Sequence, residues 1–325
     1  MRVFSIVLLI CFFCGNVLFS QNLNFANINA DMGLPSNECY RIAQDANGYI
    51  WIATESGLAK YNSRDFILFN IAKGMPSNGV YALDADSKGR LWFATGNWQV
   101  GYILNDTVHV LKDIDFYNKE TQKGDVIYKI KYDEGKKRLL VSSHHQTVEI
   151  YFDRDKPYSK SVIESNYSGD FLLLKNLNTI YVANLYNERR RYLLKKYPVY
   201  LNSNLKDSIV LPVEPQSVFF TEAFSCITMS RTTIISLLNT IFELSAKMEI
   251  KQIKKFPSQI ISMIADSKGN TWVGCKKDGL YIFKNNELSK QHQVSVIAHP
   301  LMREHFVPSV NFIALDFSQS RWSVR

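Results

Sequence analysis

Six histidines, His109, His144, His145, His292, His299 and His305, are the side chains of this 325-residue sequence best suited to acid–base or metal chemistry near neutral pH. Only His144 and His145 are adjacent. They follow Leu139 to Ser143, an apolar run that reads as a strand whose end faces one rim of the fold. Neighbouring residues on a regular strand point to opposite faces, so the pair cannot share one metal ion from such a strand. Both are read as loop histidines and kept as candidates for ligand contact. The sequence has no Gly-x-Ser-x-Gly, His-Glu-x-x-His, Walker or Gly-x-Gly-x-x-Gly motif. No catalytic, cofactor-binding or metal-binding residue is therefore assigned, and no cofactor is expected.

Three carboxylates recur in fixed company. Asp45, Asp86 and Asp266 each stand three residues before a glycine (Gly48, Gly89, Gly269) and six before a tryptophan (Trp51, Trp92, Trp272). Carboxylates in such a pattern could act as acids or hold calcium. Their place before a turn glycine instead predicts a structural role, with the aspartate bonding backbone N–H groups of the turn. The tryptophans sit on apolar runs, which makes them core residues rather than sugar-stacking platforms. Trp98 is the exception. It lies in Gly96-Asn97-Trp98-Gln99, where the second copy of the pattern carries three more residues than the first. An aromatic on a longer loop can contact a ligand or pack against its neighbours, and both readings stand.

The elements that would position these residues follow from self-similarity. Gly33 to Asn37 reads Gly-Leu-Pro-Ser-Asn, and Gly74 to Asn78 reads Gly-Met-Pro-Ser-Asn, an offset of 41. Asp45, Gly48 and Trp51 return at the same offset, as does Phe25 in Phe66. A third copy runs from Asp266 through Trp272 to Gly279-Leu280-Tyr281, and a weaker fourth carries Pro308-Ser309, Asp316 and Trp322. Within each copy, a tight turn at the glycine leads into a short strand apolar on both faces. A second turn and three further strands follow, and four short strands in about 41 residues form one blade of a β-propeller.

The fold class is therefore all-β. From Trp92 to Trp272 is 180 residues, four steps plus loop insertions. Degenerate copies fall near Arg138 to Val141 and Thr179 to Val182, with another between Cys226 and Ser236. The spacing predicts seven blades, the last beginning near Pro308 and incomplete, with Phe25 to Asn29 supplying one of its strands. Clear repeats cover 23–103 and 256–288, divergent blades 104–255, and the incomplete blade 298–325.

Residues 1–20 read as a signal peptide: Arg2, an apolar run from Val3 to Phe13 broken only by Ser5, and Ser20 before Gln21. That run is shorter than the ~20 residues that span a bilayer. The mature chain, 21–325, is expected to be periplasmic or secreted, with cleavage after Ser20. Removing Arg2 lowers the formal charge from +8 to +7. The basic residues lie in short clusters such as Arg189-Arg190-Arg191, read as solvated loops. The alternative is attraction to an acidic polysaccharide or an anionic surface. No nucleic-acid partner is expected for an exported chain. Cys39, Cys226 and Cys275 remain after cleavage, with no Cys-x-x-Cys, and read as buried thiols.

Gly-Leu-Pro-Ser-Asn, then Asp-x-x-Gly-x-Ile-Trp-Ile-Ala-Thr, then Gly-Leu resembles the two-component regulator propeller repeat. The resemblance implies the periplasmic sensor of a bacterial histidine kinase, of the hybrid or LytS-like kind. It implies recognition of an extracellular ligand such as a carbohydrate. It also implies a full-length relative that is a membrane-anchored dimer. The family order continues with an immunoglobulin-like domain, a spanning helix and a kinase, none of which follows here. A truncated sensor head without kinase activity is thus the leading expectation. The alternatives are a stand-alone partner-binding scaffold, or a secreted propeller lyase or hydrolase built on His144 or His145 and a carboxylate at the channel mouth.

Overall fold

A computed structural model describes residues 28–112, 117–118, 123–124, 127–143, 146–154, 156–164, 169–174, 179–186, 191–197, 208–211, 224–228, 233–245, 249–266, 269–275, 279–284, 288, 313–315 and 322–324. They form strands and short 3₁₀ turns. The first blade is β1 (Cys39–Gln44), β2 (Ile50–Thr54), β3 (Gly57–Tyr61) and β4 (Phe66–Phe69). The second is β5 (Val80–Ala85), β6 (Leu91–Thr95), β7 (Val100–Leu104) and β8 (Thr107–Val110). A small ribbon, β9 (Tyr117–Asn118) with β10 (Lys123–Gly124), precedes the third blade: β11 (Ile127–Asp133), β12 (Arg138–Ser143), β13 (Gln146–Asp153) and β14 (Lys156–Glu164). The fourth is β15 (Gly169–Leu174), β16 (Thr179–Tyr186), β17 (Arg191–Tyr197) and β18 (Ser208–Leu211). The fifth is β19 (Phe224–Thr228), β20 (Thr233–Leu237), β21 (Thr240–Leu244) and β22 (Ile250–Lys255). Each is a four-stranded antiparallel meander in chain order.

The all-β propeller is therefore as expected, but the complete blades among the described residues number five, not seven. Trp-to-Trp spacing counts a blade wherever the motif returns, whereas a blade is complete only when four strands pair. Among the described residues β23 (Ile260–Ala265), β24 (Thr271–Cys275) and β25 (Gly279–Phe283) pair as three strands. Likewise β26 (Ile313–Leu315) and β27 (Trp322–Val324) pair as two. The degenerate copies at Arg138 and Thr179 do begin second strands, β12 and β16. The register between Cys226 and Ser236 is set by Cys226 pairing with Ile235. Phe25 to Asn27 and Pro308 lie outside the described residues. First strands follow one another about the axis: β1 lies against β5, β5 against β11, β15 against β19, and β19 against β23. Strand β26 touches both β23 and β1.

The repeated motif works as a set of ties. Gly33 and Gly74 close 3₁₀ turns with φ of 98° and 87°, a conformation that side chains with a Cβ rarely adopt. Leu34 and Met75 behind them are each 3% exposed, so they plug the blade cores. Asn37 and Asn78 reach back seven residues, their Oδ1 atoms accepting from the N–H of Ala30 (2.9 Å) and Ile71 (3.1 Å).

The aspartates clamp the opposite end of the same strands. Asp45 Oδ1 accepts from the N–H groups of Asn47 and Tyr49 at 2.9 and 3.1 Å, while Oδ2 accepts from Trp51 Nε1 at 2.7 Å. Asp86 repeats this with Lys88 N, Arg90 N and Trp92 Nε1 at 3.0, 2.9 and 2.9 Å. Asp266 Oδ2 accepts from Trp272 Nε1 at 3.1 Å. Each clamp seats its tryptophan indole in the core. Between the second and third blades, Trp92 stacks on Tyr132 at 5.2 Å and packs with Val100, Ile130, Val141 and Ile150. Cys39 and Cys275 are buried thiols outside any disulfide. No helix among the described residues is long and apolar enough to cross a membrane.

Candidate functional site

Away from the clamped turns, the first strands share a second irregularity. Each of four carries a register shift at its second residue: between Cys39 and Arg41, between Val80 and Ala82, between Ile127 and Lys129, and between Ile260 and Ser262. Such bulges re-aim a side chain and recur beside binding sites. The residues they carry are Tyr40, Tyr81, Tyr128 and Ile261. Three consecutive blades thus present a tyrosine at one end of the propeller, on the strands that line its axis.

Tyr40 and Tyr81 stack, with ring centroids 4.5 Å apart and planes 29° from parallel. Tyr81 rests on backbone: a Cβ added to Gly96 would lie 2.8 Å from its Cε2, and one added to Gly79 would lie 3.2 Å away. One repeat earlier, at the same offset of 41, the residues are Glu55 and Glu38. The supporting bond is shared by the two blades: Gly96 N–H donates to Gly79 O at 2.9 Å, and Glu55 N–H to Glu38 O at 3.2 Å. Hence two exposed carboxylates flank Tyr40 where glycines flank Tyr81. The Tyr40 hydroxyl donates to Glu38 Oε2 at 3.3 Å. Burial first, then Tyr81, Glu38 and Glu55, push its phenol well above the ordinary tyrosine range and keep it protonated.

Arg41 ties these bulges together. Its Nη1 donates to Tyr40 O and its Nη2 to Tyr128 O, both at 2.9 Å, so one side chain reaches from the first blade to the third. Tyr128 is buried at 5% exposure, whereas Tyr40 and Tyr81 are half-buried. A planar guanidinium with a fixed fork of donors suits this strap.

Of the residues singled out in the sequence, Trp98 lies on the loop that supports Tyr81. Its φ is 63° and its N–H donates to Thr95 O at 3.0 Å. Asn97 Nδ2 donates to Pro76 O at 2.9 Å and pins the loop. The Trp98 ring is half-buried and packs on the core shared by the second and third blades. His144 and His145 lie outside the described residues. His109 is on the outermost strand of the second blade, stacked on Tyr102 at 4.8 Å and remote from the bulges. No group of three His, Cys, Asp or Glu among the described residues is arranged to hold a metal ion. The tyrosine pair escaped the sequence reading, although Tyr40 and Tyr81 stand 41 residues apart and so belong to the repeat.

Residues 33–56 and 74–97 match the two component regulator propeller family. No curated protein matches the sequence. Among solved structures, the chain is similar to the extracellular domain of BT4673 from B. thetaiotaomicron, described in one structure as a one component system and in another as a hybrid two component system. The first likeness has TM-score 0.66 and 20% identity over 91% of this chain and 38% of that one. The second has TM-score 0.67 and 19% identity over 91% and 37%. This chain therefore spans less than two fifths of the length of those structures. A further likeness is to dihydro-heme d1 dehydrogenase NirN, with TM-score 0.55 and 11% identity over 80% of this chain and 57% of that one. At these identities the likenesses are of fold. The matched repeats supply the rim turns, first strands and Asp–Trp clamps of the first two blades, and the chain is a β-propeller carrying repeats of the two component regulator propeller family.

Proposed function

We propose that this chain is the ligand-sensing propeller of an extracytoplasmic receptor and that its ligand is a carbohydrate. The observation that carries the reading is the aromatic mouth at the bulged ends of β1, β5 and β11, set on a scaffold whose repeated carboxylates are already bonded to turns and indoles. Similarity to extracellular domains of B. thetaiotaomicron systems supports it, as does the leader-like start of the sequence. In this reading residues 1–20 are removed after Ser20 and the mature propeller works in the periplasm or outside the cell. In this reading the whole receptor is membrane-anchored and dimeric and signals through a kinase. The propeller itself binds and does not catalyse. A ligand bridging blade-end loops shifts the packing of the domains that follow, because it favours the state with which it makes the better contacts. Thermal unfolding of residues 21–325 against pools of neutral, acidic and amino glycans tests this. A saturable rise in midpoint with one pool is expected, and no rise with any pool overturns it.

A further inference from the structure

We infer that Tyr40 and Tyr81, with Glu38 and Glu55, form a platform for a neutral saccharide and reject acidic ones. The inference rests on the carbohydrate reading above and adds the place and polarity of the site. Four features meet at this point. Bulges turn two tyrosines of adjacent blades to the same end of the axis. The rings stack, so each holds the other in a fixed plane. Glycine at 79 and 96 lets Tyr81 lie directly on backbone. The Arg41 strap locks the bulge carbonyls of Tyr40 and Tyr128. A rigid aromatic plane with an apolar face and hydroxyl edge suits the C–H face of a pyranose or furanose ring. Preorganisation lowers the ordering cost of binding.

Polarity follows from the two carboxylates. Ionised Glu38 and Glu55 are acceptors only, and a sugar hydroxyl donating to them makes a charge-assisted bond. Both are exposed beside the Tyr40 hydroxyl, where the local field is negative. A uronate or sulfate brought there is repelled. The cation on the same strand, Arg41, is directed onto two carbonyl oxygens. A formal charge of +8 for the whole chain would by itself favour acidic polysaccharides, so the site and the net charge point to opposite ligands. An amine would also suit two carboxylates beside aromatic faces, so chitosan oligomers serve as the competing probe.

The experiment is calorimetric titration of residues 21–325 with three probe sets. They are neutral hexaoses (xylohexaose, cellohexaose, arabinohexaose), acidic oligosaccharides (oligogalacturonates, heparin fragments) and chitosan oligomers. Neutral probes are expected to bind, with Tyr40→Ala and Tyr81→Ala each weakening affinity at least tenfold. Tyr40→Phe should stay within about threefold, and Glu55→Gln, at an exposed position, should weaken neutral binding severalfold while keeping the unfolding midpoint. If Tyr81→Ala fails to fold, Tyr40→Ala and Glu55→Gln decide alone. Neutral binding that survives both of these changes overturns the site and leaves the carbohydrate reading standing. Binding of acidic or amino probes alone overturns the assigned polarity. Absence of binding by every probe overturns the carbohydrate reading and the site with it.

Discussion

Asp86 is the carboxylate most removed from solvent chemistry. Its side chain is fully buried and that of Arg90 is 3% exposed, with Arg90 Nε donating to Asp86 Oδ2 at 2.6 Å. The guanidinium lies 4.8 Å from the Trp92 ring and 4.6 Å from that of Tyr132. Removing one partner of such a pair strands a buried charge, at a cost of about 3–5 kcal/mol. Asp86→Ala should therefore lower stability by about that amount, read by urea unfolding. Asp45→Ala, which loses turn and indole bonds but strands no cation, should cost about 1–2 kcal/mol. Equal losses would refute the distinction. Tyr40 gives a second residue-scale test. Because the folded state holds its phenolic proton where the unfolded chain releases it, Tyr40 makes stability fall as pH rises past 10. Tyr40→Phe should flatten that alkaline decline and remove a late-titrating phenol from the ultraviolet difference spectrum.

At the scale of elements, Gly101 tests the packing of the second blade. A Cβ there would stand 2.4 Å from His109 O and 2.6 Å from Phe93 Cζ, one on the paired strand and one in the core. Neither can retreat cheaply. Gly101→Ala should destabilise by about 3 kcal/mol through overpacking, seen as a lower unfolding midpoint without change in the rest of the fold. The third blade explains why the repeat fades in the sequence. Leu140 stands where the second blade has Trp92, each pairing with the residue three past the bulge. The turn aspartate survives as Asp133, but its partner is Arg138, fully buried, whose Nε donates to Asp133 Oδ2 and whose Nη1 donates to Glu149 Oε1. An ion cluster has replaced the Asp–Trp clamp, so a search keyed on tryptophan finds strands there but no motif. The blades with the motif were legible because turn glycine, aspartate and tryptophan are each fixed by local geometry. The tyrosine pair was harder to see. Tyrosine in a strand reads as ordinary β-forming surface, and the bulge that gives it a new direction has no residue signature of its own.

The whole molecule is held by blade-to-blade contacts as much as by blades. Asp84 of the second blade accepts from Lys131 Nζ at 2.6 Å and from the N–H of Tyr132 at 2.8 Å, both in the third. Glu134 accepts from Ser87 N at 2.7 Å and also from the Ser87 hydroxyl. These ties lie beside the clamped turns, whereas the tyrosines lie at the other end of the same strands. These polar ties and the mouth therefore sit at opposite ends of β5 and β11, while the Arg41 strap and the Tyr40–Tyr81 stack couple blades at the mouth itself. This separation bears on the net charge. If the excess of basic residues recruited an acidic polymer over the whole surface, affinity would drop steeply with ionic strength, since exposed charges more than about 8–10 Å apart are screened near physiological salt. A neutral sugar seated on Tyr40 and Tyr81 has no charge to screen. Raising sodium chloride from about 50 to about 500 mM should change its affinity by less than about twofold. A tenfold loss over that range would mean that the scattered lysines and arginines, rather than the aromatic mouth, carry the binding.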